Sequence, residues 1–140
     1  MHLYLTEAIM TLYNSDDGAT LRSMLTTPNG MFDTEAPNGT KFPYITFSVI
    51  SSPTDRTFCD NDDIPIVQFS CFGDTIKGQS SKSVLQIGTE LLNLIRNTLL
   101  AEARGYTNWS SILLNTFKVK DPDKGWMVVY EMEYKLEKTR

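Results

Sequence analysis

The stretch from Trp126 to Leu136 constrains the fold more than any other part of the chain. Trp126, Val128, Tyr130, Met132, Tyr134 and Leu136 alternate with positions that include Glu131, Glu133 and Lys135. Successive side chains of a β-strand point to opposite faces. Sustained alternation therefore predicts a strand with one face in a core and the other toward water or a partner. Such a strand needs neighbours on its edges and a layer over its apolar face. Asp121-Pro122-Asp123-Lys124-Gly125 is a turn signal. The less regular run from Ile112 to Val119 before it reads as the other half of a hairpin.

The covering layer is legible upstream. Leu5, Ala8, Ile9 and Leu12 fall at helical spacing between Leu3 and Tyr13, and Leu21, Met24 and Leu25 suggest a second short turn of helix. From Ser80 or Ser81 to about Leu100 the pattern is helical, with Val84, Leu85, Ile87, Leu91, Leu92, Leu94, Ile95 and Leu99 covering almost half the circumference. A helix on one sheet needs a stripe little more than ~100° wide. The surplus points to contact with the first helix or with a neighbouring subunit. Gly88 lies inside the apolar arc, which suits a close approach of backbone.

Two further strands complete the set. Ile45, Phe47 and Val49 alternate with Thr46 and Ser48, and Val67, Phe69 and Cys71 share one face of a run ending at Phe72. They are expected to pair antiparallel. The stretch between them, Ser51 to Asp63, reads as a polar excursion, far longer than the two-residue turn that would suffice. The fold class is therefore α+β. It is an antiparallel sheet of about four strands, with a long helix and an N-terminal helix packed on one face. At 140 residues and 41% apolar composition the whole chain, 1–140, reads as one domain.

Composition narrows the chemistry. The net charge is -4 and the pI about 4.9, whereas a nucleic-acid-binding domain usually shows a pI above ~9. His2 is the one histidine. A chain end cannot hold a general base in place, and without a second histidine neither a Ser-His-Asp nor a Cys-His arrangement can be built. No metal or cofactor site is expected. Cys59 and Cys71 match no zinc spacing, and Asp60-Asn61-Asp62-Asp63 lacks the central Gly and distal Glu of a calcium loop. The glycines form no phosphate cradle. Two thiols are not a disulfide framework. Cys71 reads as a small buried hydrophobe and Cys59 as a loop residue, with their pairing left open. The opening MHLYLTEAIM has no basic leader and carries Glu7, so no signal peptide is expected.

What remains points to surfaces. Arg56, Phe58, Asp60, Asp62 and Asp63 in the polar excursion are candidates for a subunit or partner interface; Arg56 could pair with a carboxylate across a boundary. Glu131 and Glu133 lie on a sheet face that is either solvated or shared between subunits. Trp109 reads as core or as an interface anchor.

Several features occur in a fixed order. An N-terminal helix precedes Pro37 and the segment Pro43-Tyr44-Ile45-Thr46-Phe47. The polar excursion comes next, then Ile66-Val67-Gln68-Phe69-Ser70-Cys71-Phe72. A long helix with Ile87-Gly88 and Leu91-Leu92 follows, and the chain closes on Tyr130-Glu131-Met132-Glu133-Tyr134. This ordered set resembles the tail-completion, or tail-terminator, proteins of long-tailed bacteriophages and related prophages, over nearly the whole chain. The resemblance implies a non-enzymatic structural protein without cofactor, forming a ring, typically of six subunits. The ring would cap the tail tube, end its polymerisation and dock the head connector. Its partners would be its own copies, the tail-tube protein and the head-tail connector, with DNA passing through the channel without specific binding and no membrane involved. The location implied is the virion at the head-tail junction, and the host cytoplasm during assembly. A head-side neck or stopper protein, or a small non-catalytic α+β ligand-binding domain, would share the same sequence features.

Overall fold

The computed structural model describes residues 2–25, 30–37, 40, 43–51, 54–56, 61–73, 82–96, 98–121 and 125–138. In chain order the elements are α1 (His2–Tyr13), a short 3-10 turn (Asp16–Gly18), α2 (Ala19–Met24), β1 (Met31–Asp33), β2 (Tyr44–Ser51), β3 (Thr54–Arg56), β4 (Asn61–Asp63), β5 (Ile66–Phe72), α3 (Lys82–Ile95), β6 (Tyr106–Asp121) and β7 (Gly125–Lys138).

The alternating C-terminal run forms β7, the centre of the sheet. One of its edges carries β6 along almost the whole length, from Tyr106↔Lys138 to Asp121↔Gly125. The other carries β5 (Phe69↔Tyr130) and then β4 (Asp63↔Leu136). Beyond β5 lies β2, with Phe47 opposite Phe69. The four long strands are antiparallel, as the alternation implies. The three short ones alter the expected sheet. β1 pairs parallel to β2, Met31↔Ile45 to Asp33↔Phe47, so the sheet is mixed and has seven strands among the described residues. A three-residue strand is too short to show a period of two, which is why β1 is invisible in the sequence.

The polar excursion is corrected too. β3 and β4 pair antiparallel, Thr54↔Asp63 to Arg56↔Asn61. They carry the β2–β5 hairpin onward as a two-stranded arm. Extended backbone in such an arm needs only ladder partners, so polar side chains conceal it. Pro65 marks the seam: its carbonyl accepts from the Tyr134 amide at 3.0 Å, keeping β7 paired across the break. At its base the arm also joins the main sheet, since Asp62 pairs with Glu137 of β7.

One face of the sheet holds the core. Ile45 and Phe47, Val67, Phe69 and Cys71, and Val128, Tyr130, Met132, Tyr134 and Leu136 are buried there beneath the helices. Each fully buried ring or branched chain contributes about 1.5–3 kcal/mol. α3 presents Val84, Ile87, Leu91, Leu94 and Ile95 to this face and meets α2 as well as β5 and β7. The surplus apolar arc is thus shared between α2 and solvent, since Leu85 is exposed. α3 stops at Ile95, about a turn earlier than its apolar pattern. Leu100 is drawn down into the core, and its amide donates to the Asn108 carboxamide instead of a helical carbonyl.

α1 ends where Arg22 reaches back. Its Nη1 donates to the carbonyls of Tyr13 and Ser15. A guanidinium on the last carbonyls of a helix satisfies orphan acceptors and complements the negative end of the dipole. Arg22→Ala should cost about 1–2 kcal/mol in urea unfolding. An unchanged midpoint would show that α1 does not depend on this cap.

The Tyr134 hydroxyl is buried without a hydrogen-bond partner among the described residues, and burial pushes its pKa far upward. Removing a desolvated, unsatisfied hydroxyl is neutral or favourable. Tyr134→Phe is expected to melt at the wild-type temperature or gain up to about 1 kcal/mol; a clear loss of stability would reveal a partner for that oxygen.

Candidate assembly surface

The described residues contain no group of three or more His, Cys, Asp and Glu side chains able to hold a metal ion. His2 is exposed in the first turn of α1. Cys71 is a free thiol, fully buried, and burial raises its pKa strongly. A thiol kept protonated in apolar surroundings is a poor nucleophile and a poor metal ligand. Burial also pushes Tyr130 up to about 12, with Cys71 adding to the shift. Among the described residues, no helix is long and apolar enough to cross a membrane.

The predicted interface residues fall in two places. Arg56 lies in β3, and Asp62 and Asp63 in β4, on the hairpin arm; Asp63 is half-buried. Phe58 and Asp60 lie outside the described residues. Trp109, Glu131 and Glu133 come together on the sheet face away from the helices. Trp109 sits at a bulge where the β6–β7 register shifts between Asn108 and Ser110, and the Lys135 ammonium lies 5.3 Å from its ring centroid. A cation over an indole face contributes about 0.5–1 kcal/mol when exposed. Glu131 accepts from the Asn115 carboxamide at 3.0 Å. Glu131 and Glu133 are half-buried, so this face is more than a freely solvated surface.

Asn108 builds the bulge. Its buried carboxamide oxygen accepts from the Leu100 amide (2.8 Å) and the Ser111 hydroxyl (3.0 Å). Its nitrogen donates to the carbonyls of Ser110 (2.8 Å) and Lys135 (3.2 Å), bridging both sides of the register shift. The start of β6 is tied to α1 as well. Arg104 and Gly105, both at positive φ, make the tight turn closed by the Ala103–Tyr106 bridge. Arg104 then grips Glu7 with both nitrogens at 2.6 and 2.7 Å. That contact holds the Glu7 carboxyl below its usual range. Its contribution is therefore present above the ordinary carboxylate range and lost as the pH falls through the lowered value; at an exposed pair it is small.

The same sheet face carries a second apolar cluster that the sequence reading missed. Tyr44, Phe72 and Val129 are buried there, with the Tyr44 and Phe72 rings 4.9 Å apart and Phe32 edge-on to Tyr44 at 6.3 Å. Opposite Val129 and Met127 on the neighbouring strand stand Phe117 and Val119. These are among five large apolar residues that β6 leaves in the open: Trp109 (49% exposed), Ile112 (45%), Leu114 (42%), Phe117 (47%) and Val119 (45%). No strand pairs with the outer edge of β6 among the described residues. A long edge strand rich in exposed apolar side chains is a ready template for another chain.

At the distal end of the hairpin, Lys118 and Lys120 hold their ammonium groups 5.2 and 5.8 Å from the centroid of the Trp126 ring. Trp126, expected in the core from its alternation, is half-buried at the sheet's margin.

No protein-family model matches the chain, and no curated protein matches it. Among solved structures, a chain described as "Virion of native gene transfer agent (GTA) particle" superimposes with a TM-score of 0.77, covering 95% of this chain and 94% of that one at 11% identity. At that identity the likeness is one of fold, and it runs through nearly every element described above.

Proposed function

We propose that this chain is a structural, non-enzymatic protein of a phage-type virion. It assembles into a homomeric ring that caps the tail tube, ends tube growth and presents a docking face to the head connector. The observation that carries the reading is the near end-to-end fold match to a virion chain. The open apolar edge of β6 supports it, since association buries what the isolated chain leaves in water. Closed rings use two different patches on each subunit, and this sheet ends in two unlike elements, the β6–β7 hairpin and the β3–β4 arm. The net charge of -4 suits a channel wall that DNA must pass without sticking, because like charges repel the phosphate backbone.

The test uses polymerising tail-tube protein from the same genome, with and without this protein, viewed by negative-stain electron microscopy. Shorter tubes bearing a ring at one end are the expected result. Tubes of unchanged length with bare ends defeat the terminator reading. Rings that bind the head connector and ignore the tube would move the protein to the head side of the neck.

A further inference from the structure

The far half of β6 leaves its outer edge unprotected. Every residue from Leu114 to Lys120 is exposed, and no strand pairs with this edge among the described residues. From Tyr106 to Phe117 the strand carries neither a charged residue nor a proline, the two residue types that commonly blunt an edge. Both of its bulges fall before Asn115, so the segment beyond is a regular ladder against β7. Within it, Asn115, Phe117 and Val119 stand opposite Glu131, Val129 and Met127, on the sheet face away from the helices. Thr116, Lys118 and Lys120 stand opposite Tyr130, Val128 and Trp126, on the other face. Phe117 and Val119 thus carry the apolar surface of the buried Val129 outward into water, to an edge with open backbone groups.

We infer that two copies of this chain pair antiparallel along this edge, residues 115–119 of one against 119–115 of the other, with the two Phe117 rings side by side at a twofold axis. The remaining sheet edges among the described residues, β1 and β3, have three residues each and are too short to cover this segment. The strand itself selects the register. Directly opposite residues of an antiparallel pair share a face, so residues of the same parity must meet. An axis at Lys118 sets that lysine against its own copy, and an axis at Val119 sets Lys118 against Lys120. Like charges directly opposite destabilise the pairing. An axis at Asn115 or Thr116 runs into the bulge at Leu114 within a residue or two. At Phe117 the conflicts vanish: Phe117 meets Phe117, Thr116 meets Lys118, and Asn115 meets Val119. The half-exposed Ile112, Leu114, Phe117 and Val119, with the edge backbone between them, present on the order of 500 Å² per copy. Two copies together then bury about 1,000 Å², the least that a specific interface needs, so the dimer is weak and reversible. It does not rest on the proposed function. A twofold contact closes on itself in a pair, whereas a ring is built from head-to-tail contacts between different patches.

Analytical ultracentrifugation over a concentration series, together with cysteine crosslinking, tests the contact and its register. Wild type is expected to pass from monomer to dimer as concentration rises. Phe117→Lys sets like charges face to face at the axis and should stay monomeric, with circular dichroism showing that it folds. For crosslinking, single cysteines are placed in a Cys59→Ser background; Cys71 is buried and stays silent. Opposed residues have Cα atoms about 4.5–5.5 Å apart, within disulfide reach. Phe117→Cys should therefore oxidise to a covalent dimer. Val119→Cys alone should not, because its copy lies about 13 Å along the strand. Mixing Val119→Cys with Asn115→Cys should give a disulfide-linked mixed dimer. A wild type that remains monomeric at high concentration overturns the inference, as does a Phe117→Lys variant that associates like wild type. Crosslinking of Val119→Cys to itself in preference to Phe117→Cys would overturn the register and with it the place of Phe117 at the axis.

Discussion

Asn108→Ala should destabilise the protein by about 3 kcal/mol or more, although it removes only a small, polar side chain. The carboxamide uses its full bonding capacity in a buried place: two donors reach its oxygen and two carbonyls receive from its nitrogen. Alanine would leave the Leu100 amide and the Ser111 hydroxyl without that acceptor. Each unsatisfied buried group costs about 1–3 kcal/mol. The bulge at Trp109 would also lose the bridge that spans its register shift, and the Leu100 segment its tether. Urea unfolding gives the magnitude. Hydrogen exchange should show protection falling at the Leu100 amide before other core amides. Asn108→Asp separates the roles. It keeps the acceptor but sets carboxylate oxygens against the Ser110 and Lys135 carbonyls, which favours the protonated form and raises the folded-state pKa. That variant should gain stability as the pH falls toward its unfolded pKa. A pH-independent deficit, or an alanine variant within about 0.5 kcal/mol of wild type, would mean that the bulge is held by something else.

This residue also shows where sequence reading stops. β7 is readable because its parity never slips: Val128, Tyr130, Met132, Tyr134 and Leu136 are all buried on the core face, while Glu131, Glu133 and Lys135 between them are only half-buried. β6 pairs with it over sixteen residues yet reads poorly, because the register shifts twice, between Asn108 and Ser110 and between Leu113 and Asn115. By register, the core-side residues of β6 are Tyr106, Asn108, Ser111, Leu113, Thr116, Lys118 and Lys120, and no single period describes that set. A bulge flips every later side chain to the other face. The strand's distal half is exposed on both faces, so hydrophobicity carries no parity there at all.

The candidate surface was legible in part for related reasons. Trp109, Glu131 and Glu133 are recognisable from residue type and alternation, and the structure gathers them on one sheet face. The exposed set Ile112, Leu114, Phe117 and Val119 was hidden, since an apolar run beside a turn signal looks like core. A retrospective signal exists: apolar side chains at both parities of one short run, followed by a lysine pair at (i, i+2), exceed what one buried face can absorb. The pairing of β4 with β7 joins segments more than seventy residues apart, which no local pattern encodes.

Gly88→Ala is the second large effect expected, and its sign runs against helix propensity. Alanine in a helix interior is favoured over glycine by about 1 kcal/mol. A Cβ on Gly88, however, would lie 2.2 Å from the Tyr130 hydroxyl oxygen and 3.1 Å from two carbons of that ring. Tyr130 is buried on the core face of β7, so moving its ring disturbs the packed core. Overpacking of this kind costs about 1–3 kcal/mol and sometimes more, and a required movement above 1 Å places it at the upper end. The net expectation is a loss of about 2 kcal/mol, with α3 lifted slightly from the sheet. Tyr130→Phe removes the nearest atom and leaves only the 3.1 Å contacts, which a few tenths of an ångström relieve. The double variant should therefore be more stable than Gly88→Ala alone, with a coupling of about 1–2 kcal/mol in the cycle, as for residues in direct contact. Additive losses, with coupling below about 0.3 kcal/mol, would place the clash elsewhere and remove the reason offered for a glycine in the middle of the apolar arc of α3.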